Sequence, residues 1–243
     1  MTDHVVYRRI HRPDAALTAR ATALPVSDLY ESLTDRAAGL MSPAMRPLIP
    51  GARIAGPAIT VHCAPGDNLM MHKGLLLAEA GDVLVVAAGE PSGAQWGTLA
   101  AIYAQHKGLA GIVVHGCVRD LDDIVARRFP VWATAISPDH PNKQAAGSVN
   151  VPIRCDGVVV NPGDLVCADG DGVVVVPRAE AAAVIEKAQA RQRHEAEIAG
   201  AILGGASLFD LHQIGPDFAR SGVRVIDGAW EDGRQAPSSA TRD

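Results

Sequence analysis

Short valine- and isoleucine-rich runs closed by glycine, proline or aspartate recur through the middle of the chain, and nothing else constrains its fold as strongly: ARIAGPAITVHC, GDVLVVAA, GIVVHGCV, VVVNPGDLVCA and DGVVVVP. Several are apolar at successive positions, the pattern of strands covered on both faces. Between them, NLMMHKGLLLAEA and TLAAIYAQHKGLA carry helical patterns, each ending near a glycine that can supply a left-handed C-cap. After Pro177 the Ala-rich stretch RAEAAAVIEKAQARQRHEAEIAGAIL predicts a long helix with charges on one face, reaching past its own domain toward a partner. Residues from about Pro13 to Leu40 also read as helix, interrupted near Pro25, with Ser27 as the expected N-cap of SDLYESL. The expectation is an α/β fold: one domain over residues 1–221, with N-terminal helices and a long C-terminal helical arm. A polar tail over residues 222–243 is expected to be frayed.

With 243 residues the chain is long enough for one large core but not for two independent enzymatic domains. Hydrophobic residues make up 48% and aromatics only 4%, so small aliphatic side chains must fill that core at close backbone spacing. The net charge of −5, with no run of Lys or Arg, argues against nucleic acid as a partner. Cys63, Cys117, Cys155 and Cys167 form no CxxC pair and read as buried free thiols. The start MTDHVVYRRIHRPD is charged where a signal peptide is apolar, and no apolar run approaches the ~20 residues of a membrane span. A reducing cytoplasm, with no membrane partner, is therefore the expected setting.

Three places could carry chemistry. In GIVVHGCVRDLDDI a buried-looking strand ends beside Arg119 and Asp120, and ligands of α/β proteins sit at the carboxyl ends of strands. Arg offers a bidentate clamp for a carboxylate and Asp a hard oxygen for Mg²⁺ or Mn²⁺. Equally, Asp120 could cap the helix LDDIVARRF while Arg119 pairs with a surface acid. The loop GEPSGAQWGTLAA follows a strand and opens a helix, so Gly93 and Gly97 could let backbone N–H groups converge on an anion. It lacks the spacing of a Walker loop or a dinucleotide fingerprint, and an ordinary strand-to-helix turn fits as well. Glu195 and Glu197 on the long helix are two apart, so only one can point into a given site, and a solvated helix face also accounts for them. His62, His72, His106, His115 and His194 show no zinc spacing, and no GxSxG is present.

The order of segments resembles a known family. MSPAMRPLIPGARIAGPAITV, APGDNLMMH, AGDVLVVA, WGTLAA, GLAGIVVHGCVRDLDDI, FPVWA, GSVNVPI, VVVNPGDLVCADGDGVVVVP and EAAAVIEKAQAR together run from about Met41 to about Arg191. They are similar to the class II pyruvate aldolases that split 4-hydroxy-4-methyl-2-oxoglutarate and 4-carboxy-4-hydroxy-2-oxoadipate, which share a fold with the regulator of ribonuclease activity A. The resemblance implies a swivelling β/β/α domain in homotrimers or hexamers, with each active site between neighbouring subunits and a small 2-oxo acid as substrate. It implies that Asp120 holds Mg²⁺ or Mn²⁺ and that Arg119 binds substrate and steadies its enolate. The backbone of Gly97, Thr98, Leu99 and Ala100 would cradle the pyruvyl carboxylate, and Glu195 would enter from the neighbouring subunit. Retro-aldol cleavage to pyruvate follows, with water on the metal as the expected base and oxaloacetate decarboxylation as a companion activity.

Two positions depart from the family pattern. Thr98 stands where an acid is usual after the loop glycine, and His115 with Gly116 stands where Asp-Gly is usual before the Arg-Asp pair. The imidazole of His115 could serve as a base or simply pack. Two other readings stay open: a non-catalytic regulator of an RNA-degrading enzyme, and a diverged lyase acting on another 2-oxo acid. The long arm carrying Glu195 argues against the regulator.

Overall fold

The structure, a computed structural model, describes residues 4–89 and 92–230. Glu90 and Pro91 of the glycine-containing loop, and the expected frayed tail beyond Trp230, lie outside the described residues. The chain opens with helices α1 (Ala15–Thr22), α2 (Val26–Ser32) and α3 (Arg36–Gly39), then strands β1 (Arg46–Pro47) and β2 (Ile54–His62). Next come α4 (Leu69–Leu77), β3 (Val83–Ala87), α5 (Thr98–Lys107), β4 (Gly111–Val118), α6 (Leu121–Arg127) and β5 (Val131–Ile136). Short strands β6 (Ser148–Val149), β7 (Ile153–Cys155), β8 (Val158–Val160), β9 (Leu165–Ala168) and β10 (Val173–Val176) follow. The described chain closes with α7 (Ala181–Leu203), α8 (Leu208–Leu211) and α9 (Gly215–Arg220). It divides into two compact units, one up to Arg193 and one from His194 onward.

In the first unit β2 organises the sheet. Its residues 58–62 pair in parallel with β3, and β3, β4 and β5 continue in parallel, each joined to the next through a helix. Residues 54–57 of the same strand pair antiparallel with β9, which forms a hairpin with β10. Alternation along β3 then separates two layers. Leu84 and Val86 pack with Leu75, Ala101 and Ile124 from α4, α5 and α6, while Val83, Val85 and Ala87 pack with Ile153, Cys155 and Val158 of the β7–β8 hairpin. On a third side Leu24, Leu29, Ile185 and Ala188 cover Cys167, Val174 and Val176 of β9 and β10. These are the helix and sheet layers expected of the swivelling β/β/α domain. Close packing explains the small residues: a Cβ on Gly74 of α4 would lie 2.4 Å from Val61 Cγ2.

Two local expectations change. Ser27 is the second residue of α2, not its cap; the N-cap position is Pro25, and the Val26 N–H donates to Asp169 Oδ2 at 3.1 Å instead. A remote carboxylate thus does what a local hydroxyl was expected to do. Helix α5 ends on Gly108 in the left-handed conformation as predicted, but α4 ends on Ala78 in an extended one. All four cysteines are free and buried, and burial pushes the thiols of Cys63, Cys155 and Cys167 up to about 12, so they remain protonated at neutral pH. No helix among the described residues is long and apolar enough to cross a membrane.

The second unit holds the last turns of α7 with α8 and α9. Phe209 and Phe218 meet edge to face with centroids 5.9 Å apart. None of its described residues is buried, and Leu203, Val225 and Trp230 are largely exposed.

Candidate functional site

The C-terminal end of β4 and the loop before α5 are bonded to each other. Gln95 N–H donates to Cys117 O at 2.8 Å and Arg119 N–H to Trp96 O at 3.0 Å. Within β4 the register with β5 shifts between Val114 and Cys117, where Gly116 adopts φ 151°, a conformation that side-chain-bearing residues rarely reach. The strand therefore delivers Arg119 and Asp120 next to Gly97.

Asp120 occupies the N-cap position of α6, yet its side chain makes no capping bond. Its backbone is left-handed, at φ 58° and ψ 39°, at a cost of about 1–2 kcal/mol. The carboxylate turns to the other helix, where Oδ2 accepts the Thr98 N–H at 3.0 Å and lies 3.7 Å from Arg119 Nε. A Cβ at position 97 would sit 2.6 Å from Asp120 Oδ2, so any larger residue there must push the carboxylate away from its present place. Thr98 also donates from Oγ1 to Asp123 Oδ2 at 3.2 Å. The first turn of α5 thus commits one amide to Asp120, and no described group bonds the Leu99 and Ala100 amides, which remain anion donors at a helix N-terminus.

Beside this arrangement lies a cavity of about 160 Å³ lined by Asn68, Met71, His72, Ala94, Gln95, Trp96, Gly97, Leu99, Ala100, Arg119, Asp120, Pro141 and Lys143. Arg119 and Lys143 outnumber Asp120, so the cavity favours an anion. His72 is held below its ordinary value by burial and by the charge of Lys143, which keeps it neutral at pH 7. Three buried polar atoms on lining residues, Asn68 Oδ1, Gln95 Oε1 and Trp96 Nε1, have no hydrogen-bond partner among the described residues, as expected where a polar ligand belongs. A larger cavity of about 480 Å³ elsewhere contains none of the predicted residues, and its Asp164 already accepts from Asn161 and Arg178.

Asp120 is the residue here whose chemistry could hold a divalent cation, through the oxygen that faces away from Arg119. No described group bonds its Oδ1, and the second carboxylate, Asp123, stands one helical turn away. The described residues contain no cluster of three or more His, Cys, Asp or Glu able to hold a metal. One hard oxygen ligand with a shell of water is a common way to bind Mg²⁺ or Mn²⁺.

The structure brings Gly97, Thr98, Leu99, Ala100, Arg119 and Asp120 together around one cavity. His115 is placed elsewhere: its Nδ1 accepts the Asp156 N–H at 3.1 Å and its Nε2 lies 4.0 Å from Asp156 Oδ1, on the side of the sheet covered by the β7–β8 hairpin. Glu195 lies on α7 within the second unit, beside the His194–Glu197 pair at 3.5 Å. Sequence reasoning missed Asp123, His72, Lys143 and His140, whose Nδ1 lies 3.1 Å from Arg119 Nη1. The spacing of three between Asp120 and Asp123 at a helix start could have exposed the first of these, whereas His140 sits in a loop with no periodic signal.

Comparison with known proteins places these features in context. The profile of the RraA-like family (Aldolase/RraA) matches residues 25–175. A protein of Halalkalibacterium halodurans named "Putative 4-hydroxy-4-methyl-2-oxoglutarate aldolase" is 36% identical over 168 residues, covering 69% of this chain and 78% of the relative. One of the same name from Burkholderia multivorans is 39% identical, covering 61% of this chain and 93% of the relative. The crystal structure of Streptomyces coelicolor RraAS2, described as an unusual member of the RNase ES inhibitor RraA family, superposes with a TM-score of 0.71 at 31% identity, covering 79% of this chain and 99% of that one. With the family profile matching residues 25–175, a relative 36% identical over 69% of the chain and the fold in agreement, the chain belongs to the RraA-like family.

Proposed function

We propose that this protein is a divalent-metal-dependent lyase that cleaves a 4-hydroxy-2-oxo diacid, such as 4-carboxy-4-hydroxy-2-oxoadipate or 4-hydroxy-4-methyl-2-oxoglutarate, and releases pyruvate. The observation that carries the reading is the linkage of Arg119 and Asp120 to the amide-bearing start of α5 across Gly97. The Leu99 and Ala100 amides bind the substrate carboxylate, and Asp120 would hold Mg²⁺ or Mn²⁺. The cation supplies Lewis acidity toward the 2-oxo group. Arg119 directs its guanidinium at the oxygen where negative charge develops as the C3–C4 bond breaks. The C4 hydroxyl gives its proton to water as it becomes a carbonyl, the C3–C4 electron pair stays on C3 as the pyruvate enolate, and water returns a proton to C3. Oxaloacetate would be decarboxylated through the same enolate. In this reading a neighbouring copy, in a trimer or hexamer, brings Glu195 to the site.

Pyruvate release coupled to lactate dehydrogenase tests the proposal, with both hydroxy acids and oxaloacetate, each with Mg²⁺, Mn²⁺ or EDTA. Metal-dependent release from a hydroxy acid is the expected result. Release from oxaloacetate alone points to a diverged lyase. Silence on all three favours the second reading, inhibition of an RNA-degrading enzyme, which the likeness to the Streptomyces coelicolor member of the RNase ES inhibitor family motivates.

A further inference from the structure

The segment over residues 137–145 runs past the mouth of the cavity and is tethered along its length. Ser137 N–H donates to Val118 O at 2.9 Å, and Asp139 accepts from Ala94 N–H through its carbonyl at 3.0 Å and from Gly93 N–H through Oδ2 at 2.8 Å. Asn142 N–H donates to Gly66 O at 2.8 Å, and Asp67 Oδ2 accepts the Gln144 and Ala145 N–H groups at 2.6 and 2.9 Å. This anchored backbone presents His140, whose Nδ1 lies 3.1 Å from Arg119 Nη1. A guanidinium can only donate, so the imidazole nitrogen accepts and must be unprotonated, with any ring N–H on Nε2. Arg119 is therefore held on two sides, by His140 at Nη1 and by Asp120 at 3.7 Å from Nε. His140 is exposed, so the contact does not arise as a by-product of core packing.

We propose that His140 is a positioning residue for Arg119: its Nδ1 selects, among the many rotamers of a long side chain, the one in which the remaining guanidinium N–H groups face a planar 2-oxo acid or its enolate. The inference deepens the proposed function and rests on its assignment of Arg119 to substrate. It also predicts which substitution is tolerated. Asn places an acceptor oxygen the same number of bonds from the backbone as Nδ1, whereas Leu fills similar space and accepts nothing.

The test is calorimetric binding of oxalate, a planar mimic of pyruvate enolate, to full-length protein with Mn²⁺, alongside kcat and KM for pyruvate release. His140→Leu should weaken oxalate about tenfold and lower kcat by a similar factor. His140→Asn should stay within about threefold of wild type, and His140→Leu should change nothing further in an Arg119→Ala background. Three results would overturn the inference: wild-type affinity in His140→Leu, equal damage from Asn and Leu, or the same loss with Arg119 already removed. Absence of oxalate binding by the wild type would overturn it too. If the binding pattern holds while no 2-oxo acid yields pyruvate, the positioning role stands and the proposed reaction fails.

Discussion

Every residue of β3 is buried between two layers, whereas from His194 onward no described residue is buried and Leu203 is 90% exposed. The first unit spends its apolar side chains on its own core. The second presents Ile202, Leu203, Phe209, Phe218 and Trp230 to its surroundings, so its order cannot come from burial within itself. The difference teaches where sensitivity to substitution should lie. Changes in the first unit should act on folding or on the site, depending on which face they touch. Changes in the second should act on what that surface meets.

The largest effect expected is at the site. Asp120→Ala should lower metal-dependent pyruvate release on the order of a thousandfold while costing only about 1–2 kcal/mol of stability, from the lost Thr98 N–H acceptor and the left-handed backbone that Ala tolerates less well than Asp. Wild-type turnover would remove Asp120 from the chemistry. Ile112→Ala, fully buried in β4, should cost about 2–5 kcal/mol in urea unfolding without altering kcat of the folded fraction. Glu195→Gln sharpens the contrast, because it should reduce turnover about 10–100-fold with an unchanged unfolding curve if that acid reaches a neighbouring site; retained turnover would confine the reaction to the first unit.

Asp67 gives a pH-dependent test. Burial alone would raise its carboxyl, but N–H donors from Gln144, Leu69 and Ala145 and the charge of Lys143 hold it below the ordinary value. A carboxyl depressed on folding stabilises the protein above about pH 4, and that contribution disappears as pH falls through the lower folded value. The urea-midpoint gap between wild type and Asp67→Asn should therefore be widest near neutrality and narrow as pH falls below about 4. A gap that is constant with pH would show that the anion is not what the three amides stabilise. The smallest effect is expected for Leu203→Ala: within about 0.5 kcal/mol for unfolding, despite removing a side chain comparable to that of Ile112. A loss above 1 kcal/mol would show that the second unit's surface is covered and contributes to stability.

Much of this was legible in the sequence, for identifiable reasons. The runs that became β2, β3, β4, β9 and β10 are apolar at successive positions because layers cover both faces, and that signal survives without any structural knowledge. Helix α5 was marked at its end by Gly108, and Arg119 with Asp120 were marked by their place after a buried strand. Other features depend on remote partners. The cap of α2 comes from Asp169, and whether Asp120 caps α6 or reaches α5 is decided by a glycine 23 positions earlier in the chain. His115 looked close to the pair in sequence, yet its ring faces a hairpin assembled from residues around 156.

The contact between Gly97 and Asp120 also has a mechanical consequence. The carboxylate proposed to hold the cation and the amides proposed to hold the substrate are attached to one another through the Thr98 N–H, with no side chain between them to act as a cushion. A displacement of either is transmitted directly to the other. The two gripping surfaces are therefore coupled through one hydrogen bond, so a change that moves the start of α5 also moves the anchor of the carboxylate.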